Sequence, residues 1–166
     1  LLPPDRYLAG DEDFELGGVT FRLRHVGPAH SDEDLTLLVE NDRVLFSGDL
    51  IFKGRVPFVG DADSRAWLAA LDKLIALKPA VLVPGHGAAS ETPLADLALT
   101  REYLLYLREK MGAAVADLQD FDTAYAATDW SRWRALPAFD EANRRNAYNQ
   151  YLQMEREALG STGRET

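Results

Sequence analysis

The chain has 166 residues, 46% hydrophobic and 27% charged, with 27 acidic against 18 basic side chains and no cysteine. That length affords one domain with a core of its own, and the composition is that of a folded chain, not a disordered one. A net charge of −9 disfavours a nucleic-acid partner, which needs clustered Lys and Arg, and the lack of cysteine removes disulfides, thiolate metal sites and thiol nucleophiles.

No apolar run approaches the ~20 residues that span a bilayer, so no membrane partner is expected. The opening Leu1-Leu2-Pro3-Pro4-Asp5 carries no signal-peptide pattern and reads as an interior stretch. Strands are predicted at 13–16 and 19–26, joined by Gly17-Gly18, a hairpin signal. In the second strand Val19, Phe21, Leu23 and His25 alternate with Thr20, Arg22 and Arg24, giving one apolar and one polar face. A second hairpin is predicted from 35–40 and 43–46 around Asn41-Asp42. Its strands are almost continuously apolar, which predicts a sheet covered on both faces.

A helix is predicted after Asp61-Ala62-Asp63, with an aspartate cap and Trp67, Leu68, Leu71, Leu74 and Ile75 at helical spacing; Pro79 stops it. Ala80-Val81-Leu82-Val83 is predicted as a buried strand ended by Pro84-Gly85-His86-Gly87. Thr92-Pro93 reads as a cap with proline in the first turn of a long helix carrying Leu94, Leu97, Leu104, Leu107 and Met111. Residues 120–137 read as irregular or a short helix, and a last helix is predicted over 139–159. Trp67, Trp130 and Trp133 are expected in the core. The expected organisation is one α/β unit over 1–159, a mixed sheet with helices on one face, followed by a frayed tail at 160–166.

The chain has three histidines, at 25, 30 and 86. His30 and His86 sit in loops beside predicted strands, and Ser47-Gly48-Asp49 ends the strand before the first helix. Strand ends in α/β proteins converge on one sheet edge, so two imidazoles and a carboxylate there form a candidate nitrogen/oxygen metal site. Each residue taken singly has a plainer reading as a surface histidine or a turn aspartate. His25, on the apolar face of its strand, reads as a core histidine with a satisfied hydrogen bond. Asp32 and Asp34 read as turn residues, Arg55 as a candidate contact for a substrate anion or a brace for its loop, and Asn146 and Tyr148 as helix-packing residues that could reach the site edge.

The set His30-Ser31, a strand ending Gly48-Asp49, and Pro84-Gly85-His86-Gly87 resembles the later motifs of the metallo-β-lactamase superfamily. Residues 44–49, the stretch Phe52 to Ser64, Trp67, Arg144 to Tyr148 and Glu155 resemble the branch associated with quinoprotein dehydrogenases and sulfur oxidation. The resemblance implies the C-terminal half of an αββα sandwich and a zinc-dependent hydrolase of a small-molecule ester, thioester or lactam. It implies His30 on a first zinc, Asp49 bridging the two metals or binding the second, and His86 on the second. Protons would compete for those ligands, so binding should weaken as pH falls. Two departures stand out. The first signature, His-x-His-x-Asp-His, is absent, and Glu33 stands where many members carry glycine. Three ligands shared over two metal positions predict weak zinc binding and little hydrolysis by this chain alone. The alternative is a binding module on the same scaffold with a degenerate metal site. A half sandwich would leave one sheet face bare, which predicts a homodimer through that face.

Overall fold

The computed structural model describes residues 3, 7 and 10–162, the last two by backbone alone. Most of the opening Leu1–Asp5 stretch, and residues 163–166 of the expected tail, lie outside the described residues. The elements run β1 (Glu12–Leu16), β2 (Val19–His25), β3 (Leu35–Val39), β4 (Val44–Phe52), α1 (Ser64–Ala76), β5 (Val81–His86), α2 (Pro93–Ala116), α3 (Phe121–Ala127), α4 (Ser131–Arg134) and α5 (Phe139–Thr162). The strands form one mixed sheet in sequence order, with β1 to β4 antiparallel and β5 parallel to β4.

Local chemistry explains the elements. Gly17 and Gly18 both take positive φ, 61° and 79°, the conformation a two-residue hairpin turn demands. Asp63 caps α1 by accepting from the amides of Arg65 and Ala66. Thr92 stands at the N-cap of α2 as expected, but its side chain makes no cap bond. Its hydroxyl is engaged by Ser90 instead. Residues 120–137 hold two short helices, and α5 continues three residues past the expected end at 159.

Cross-strand register sorts the side chains. Leu38, Leu45 and Leu82 share the helix-covered face and are at most 3% exposed. There they join Trp67, Leu71 and Leu74 of α1, Leu97, Leu104 and Leu107 of α2, and Trp130 and Trp133 in one core. The opposite face pairs Phe14 with Phe21, Leu23 with Leu37, Leu37 with Phe46, and Phe46 with Val83. It is apolar across all five strands yet open, with Phe46 41% and Leu35 44% exposed. Among the described residues the expectation that β3 and β4 are covered on both faces is not met: a continuous apolar run marks two apolar faces, and only one of them has described helices over it.

That bare face also corrects the reading of His25. Its imidazole Nε2 does meet a partner, Glu33, at 2.9 Å, but the side chain is 34% exposed and not in the core. Its cross-strand neighbour Leu35 is exposed beside it.

The far end is tied by charge. Glu157 on α5 accepts from Arg108 of α2 at 2.8 and 3.0 Å and from Arg65 of α1 at 2.6 Å. The hydrogen bonds from Arg108 hold the Glu157 carboxyl below its ordinary value. A carboxyl depressed in the fold adds stability above its unfolded pKa and loses it as pH falls through the folded value. Glu157→Gln should therefore cost about 1 kcal/mol at pH 7. In urea titrations the deficit relative to the parent should shrink below pH 4.5, the ordinary value of the group; a deficit independent of pH would contradict this origin.

Candidate metal edge

Strand direction decides where the candidate residues meet. β2 and β4 run the same way because each is antiparallel to β3, and β5 is parallel to β4. The segments that follow β2, β4 and β5 therefore leave from one edge of the sheet, the edge where α/β proteins bind ligands.

His30 lies in the loop after β2. Asp34 shapes that loop, accepting from both the amide and the hydroxyl of Ser31 at 2.8 Å, which is turn chemistry as expected. The His30 ring sits edge-on to Trp67, centroids 5.1 Å apart, and tilted against Phe52 at 5.6 Å. His86 is in a strand and not in the loop the sequence suggested, and the strand expected to end at Asp49 runs past it. β4 runs on through Asp49 to Phe52, and His86 is the last residue of β5, paired with Phe52. The strands continue because β4 is irregular between Phe46 and Phe52, with Gly48 at φ 54°, which re-aims the residues that follow.

Asp49 and His86 meet across the two parallel strands, carboxylate Oδ1 to imidazole Nε2 at 3.5 Å. Both side chains are about half exposed, so the pair faces solvent. The His86 ring stacks on Phe52, centroids 4.4 Å apart and planes 12° from parallel. Phe52 is thus a common floor for both imidazoles. Gly85 is what lets Asp49 in: a Cβ there would fall 2.1 Å from Asp49 Oδ1 and 2.7 Å from the Gly48 carbonyl carbon.

The three predicted ligands are thus gathered at one edge, two of them in direct contact and the third across Phe52. Among the described residues, no group of three or more His, Asp or Glu closes to a distance that could hold a metal ion. The Asp49–His86 pair, beside the Gly85 cradle, presents one oxygen and one nitrogen donor, the atom types that zinc takes. His30 does not join that pair.

Arg55 lies in the turn after β4. Its guanidinium packs over the Phe58 ring at 5.5 Å, and its buried Nε has no hydrogen-bond partner among the described residues. Phe58, exposed, leans edge-on against Phe52 at 6.3 Å. An open cleft of about 450 Å³ runs between the His30 loop and residues 58–63. Neither Phe52 nor Phe58 was read from sequence as a site residue. Of the two helical candidates, Asn146 is buried against the backbone of Pro57 and Val59, and Tyr148 packs on Phe121.

A model of the metallo-β-lactamase superfamily matches residues 2–86, just over half of the chain. Among curated proteins, a β-lactamase-like protein 2 homolog from Drosophila melanogaster is 32% identical over 91 residues, covering 54% of this chain and 30% of that protein. Among solved structures, a metallo-β-lactamase from Pontibacter korlensis is 27% identical with a TM-score of 0.55, covering 61% of this chain and 49% of that one. A metallo-β-lactamase family protein from Thermus thermophilus aligns over 97% of this chain and 51% of that one, TM-score 0.63, at 21% identity, a likeness of fold. The chain spans between 20% and 34% of the length of the curated relatives it matches.

The close approach at Gly85 gives a test of the edge itself. Gly85→Ala should destabilise the fold by about 3 kcal/mol, the upper range for overpacking, because its nearest neighbours include backbone atoms of Gly48 and Asp49. Urea denaturation reads it; an unchanged midpoint would mean that β4 and β5 are not this close.

Proposed function

The chain belongs to the metallo-β-lactamase superfamily, and from that premise we propose that it is the part of a zinc-dependent hydrolase carrying the later metal motifs. The observation that carries the reading is the contact of Asp49 with His86 at 3.5 Å across parallel strands, with His30 on the same aromatic floor. In this reading Asp49 and His86 hold one cation and His30 contributes to a neighbouring position. Asp49 and His86 would hold the ion there, and zinc so held would supply activation of a water for attack on an ester, thioester or lactam. The chain's own residues do the rest: Phe52 fixes both imidazoles, Gly85 leaves room for the carboxylate, and Arg55, whose buried Nε has no partner among the described residues, offers a charge to an anionic group of a small-molecule substrate.

A second reading has a specific observation in its favour. The His-x-His-x-Asp-His signature is missing from a sequence with three histidines, and the described residues offer the Asp49–His86 pair no third donor. A catalytic zinc normally has three protein ligands plus water. A binding module that keeps the scaffold without catalysis is consistent with this. The coding sequence on the N-terminal side discriminates: the signature there supports the hydrolase, and its absence supports the module.

The 166-residue chain should bind zinc weakly in calorimetry, with Asp49→Asn and His86→Ala abolishing what binding there is. Tight stoichiometric zinc together with robust ester hydrolysis by this chain alone would contradict a two-donor seat. Self-association belongs to the same proposal. In a solution of the purified chain, a second copy would cover the apolar face around Leu37, Val39 and Phe46. Light scattering should report a dimer that Phe46→Lys dissociates; a monomer at all concentrations would remove this part of the proposal.

A further inference from the structure

Four backbone groups in five consecutive residues beside the metal edge are held from α5 and the turn before it. The Val56 amide donates to the Pro137 carbonyl at 3.0 Å. Asn146 takes the next two: its Nδ2 donates to the Pro57 carbonyl at 2.7 Å, and its Oδ1 accepts from the Val59 amide at 2.9 Å. Asn149 donates to the Gly60 carbonyl at 2.6 Å. Phe58 is the one residue between the two Asn146 anchors. Its backbone is fixed while its ring stands 44% exposed against Phe52.

Asn146 is itself held. It is 2% exposed, and its Nδ2 also donates to the Tyr103 hydroxyl at 3.0 Å. That hydroxyl donates to Asn143 Oδ1 at 2.9 Å. Burial pushes the Tyr103 phenol well above its ordinary value, so it remains a protonated donor at any working pH. With both its oxygen and its nitrogen committed, the Asn146 amide has one allowed orientation.

We infer that Asn146 is a positioning residue for the metal edge, acting through Phe58 and Phe52 on the rings of His30 and His86. The line of contact is continuous. Asn146 sets the backbone on both sides of Phe58; Phe58 meets Phe52 edge-on at 6.3 Å; Phe52 stacks on His86 at 4.4 Å and touches His30 at 5.6 Å. Groups that orient metal ligands from behind commonly alter metal affinity when removed. This one is built from aromatic packing where a carboxylate or carbonyl would be usual. The plainer account is that Asn146 only satisfies buried backbone groups, and that account predicts no effect on the imidazoles. The inference rests on the proposed function only in calling His30 and His86 metal ligands; the ring geometry stands without it.

The test uses the metal-free 166-residue protein, with proton and nitrogen resonances of the three imidazoles as the readout. Stacking on Phe52 should shield the His86 ring protons. Phe58→Ala removes an exposed ring and should leave the thermal midpoint nearly unchanged. It should still move the His86 ring protons downfield and shift those of His30, with His25 unmoved as the internal control. Asn146→Ala should give the same shifts together with a loss of stability, and Phe58→Leu, which retains bulk, should restore part of the parent spectrum. Zinc titration of Phe58→Ala should show affinity lowered at least about tenfold. Unchanged His30 and His86 resonances in both alanine variants would overturn the inference. If the resonances move but no variant, parent included, binds zinc, positioning stands and the two-donor zinc seat falls.

Discussion

The indole of Trp67 joins helix, strand and site. It is fully buried, its Nε1 donates to the Leu50 carbonyl at 3.1 Å, and its ring meets His30 edge-on. Leu50 follows Asp49 in the irregular part of β4, so one side chain of α1 fixes both that stretch of strand and the loop carrying the first imidazole. The orientation of α1 is set in turn by the Asp63 cap and by the stripe of Leu71 and Leu74 against Leu45 and Leu82. An indole in this place does what aliphatic packing could not: it fills core volume and satisfies a backbone carbonyl that the departure from regular pairing leaves free.

Much of this was legible in the sequence because it is local. The Gly17-Gly18 turn, the Asp63 cap, the helical spacing of Trp67 to Leu74 and the break at Pro79 each depend on a few neighbouring residues, and the structure has them where expected. The gathering of His30, Asp49 and His86 at one edge could be read because strand order and direction follow from short connections. The ends of β4 and β5 could not. Gly48-Asp49 and Pro84-Gly85 look like punctuation in one dimension, but across two strands they are complementary, the missing Cβ of Gly85 making room for the Asp49 carboxylate. Proline at 84 is tolerated because β5 stands at the edge of the sheet.

The rest turns on partners that hydrophobic periodicity does not show, some near in sequence and some far. Thr92 occupies a capping position, yet Ser90 takes its hydroxyl. His25 lies on an apolar face, yet that face is bare, so Glu33 finds it. Phe52 and Phe58 look like core residues in a pattern of hydrophobicity; that they form a floor under two imidazoles is a fact of the turn between them. Asn146 lies 89 and 87 residues from the backbone groups it binds, and no periodicity announces such a bond.

The parallel pairing of β4 with β5 has a kinetic side. The hairpins β1–β2 and β3–β4 close over short loops, each turn bringing its strands together at once. Val44 and Val81 are 37 positions apart (81 − 44), and their pairing waits for an intervening helix to form and dock. Chain closure over such a span is slow relative to hairpin closure. Asp49 and His86 are brought face to face only by that late event, so an ensemble of partly folded molecules would already hold its hairpins and still lack the edge that gathers these two side chains.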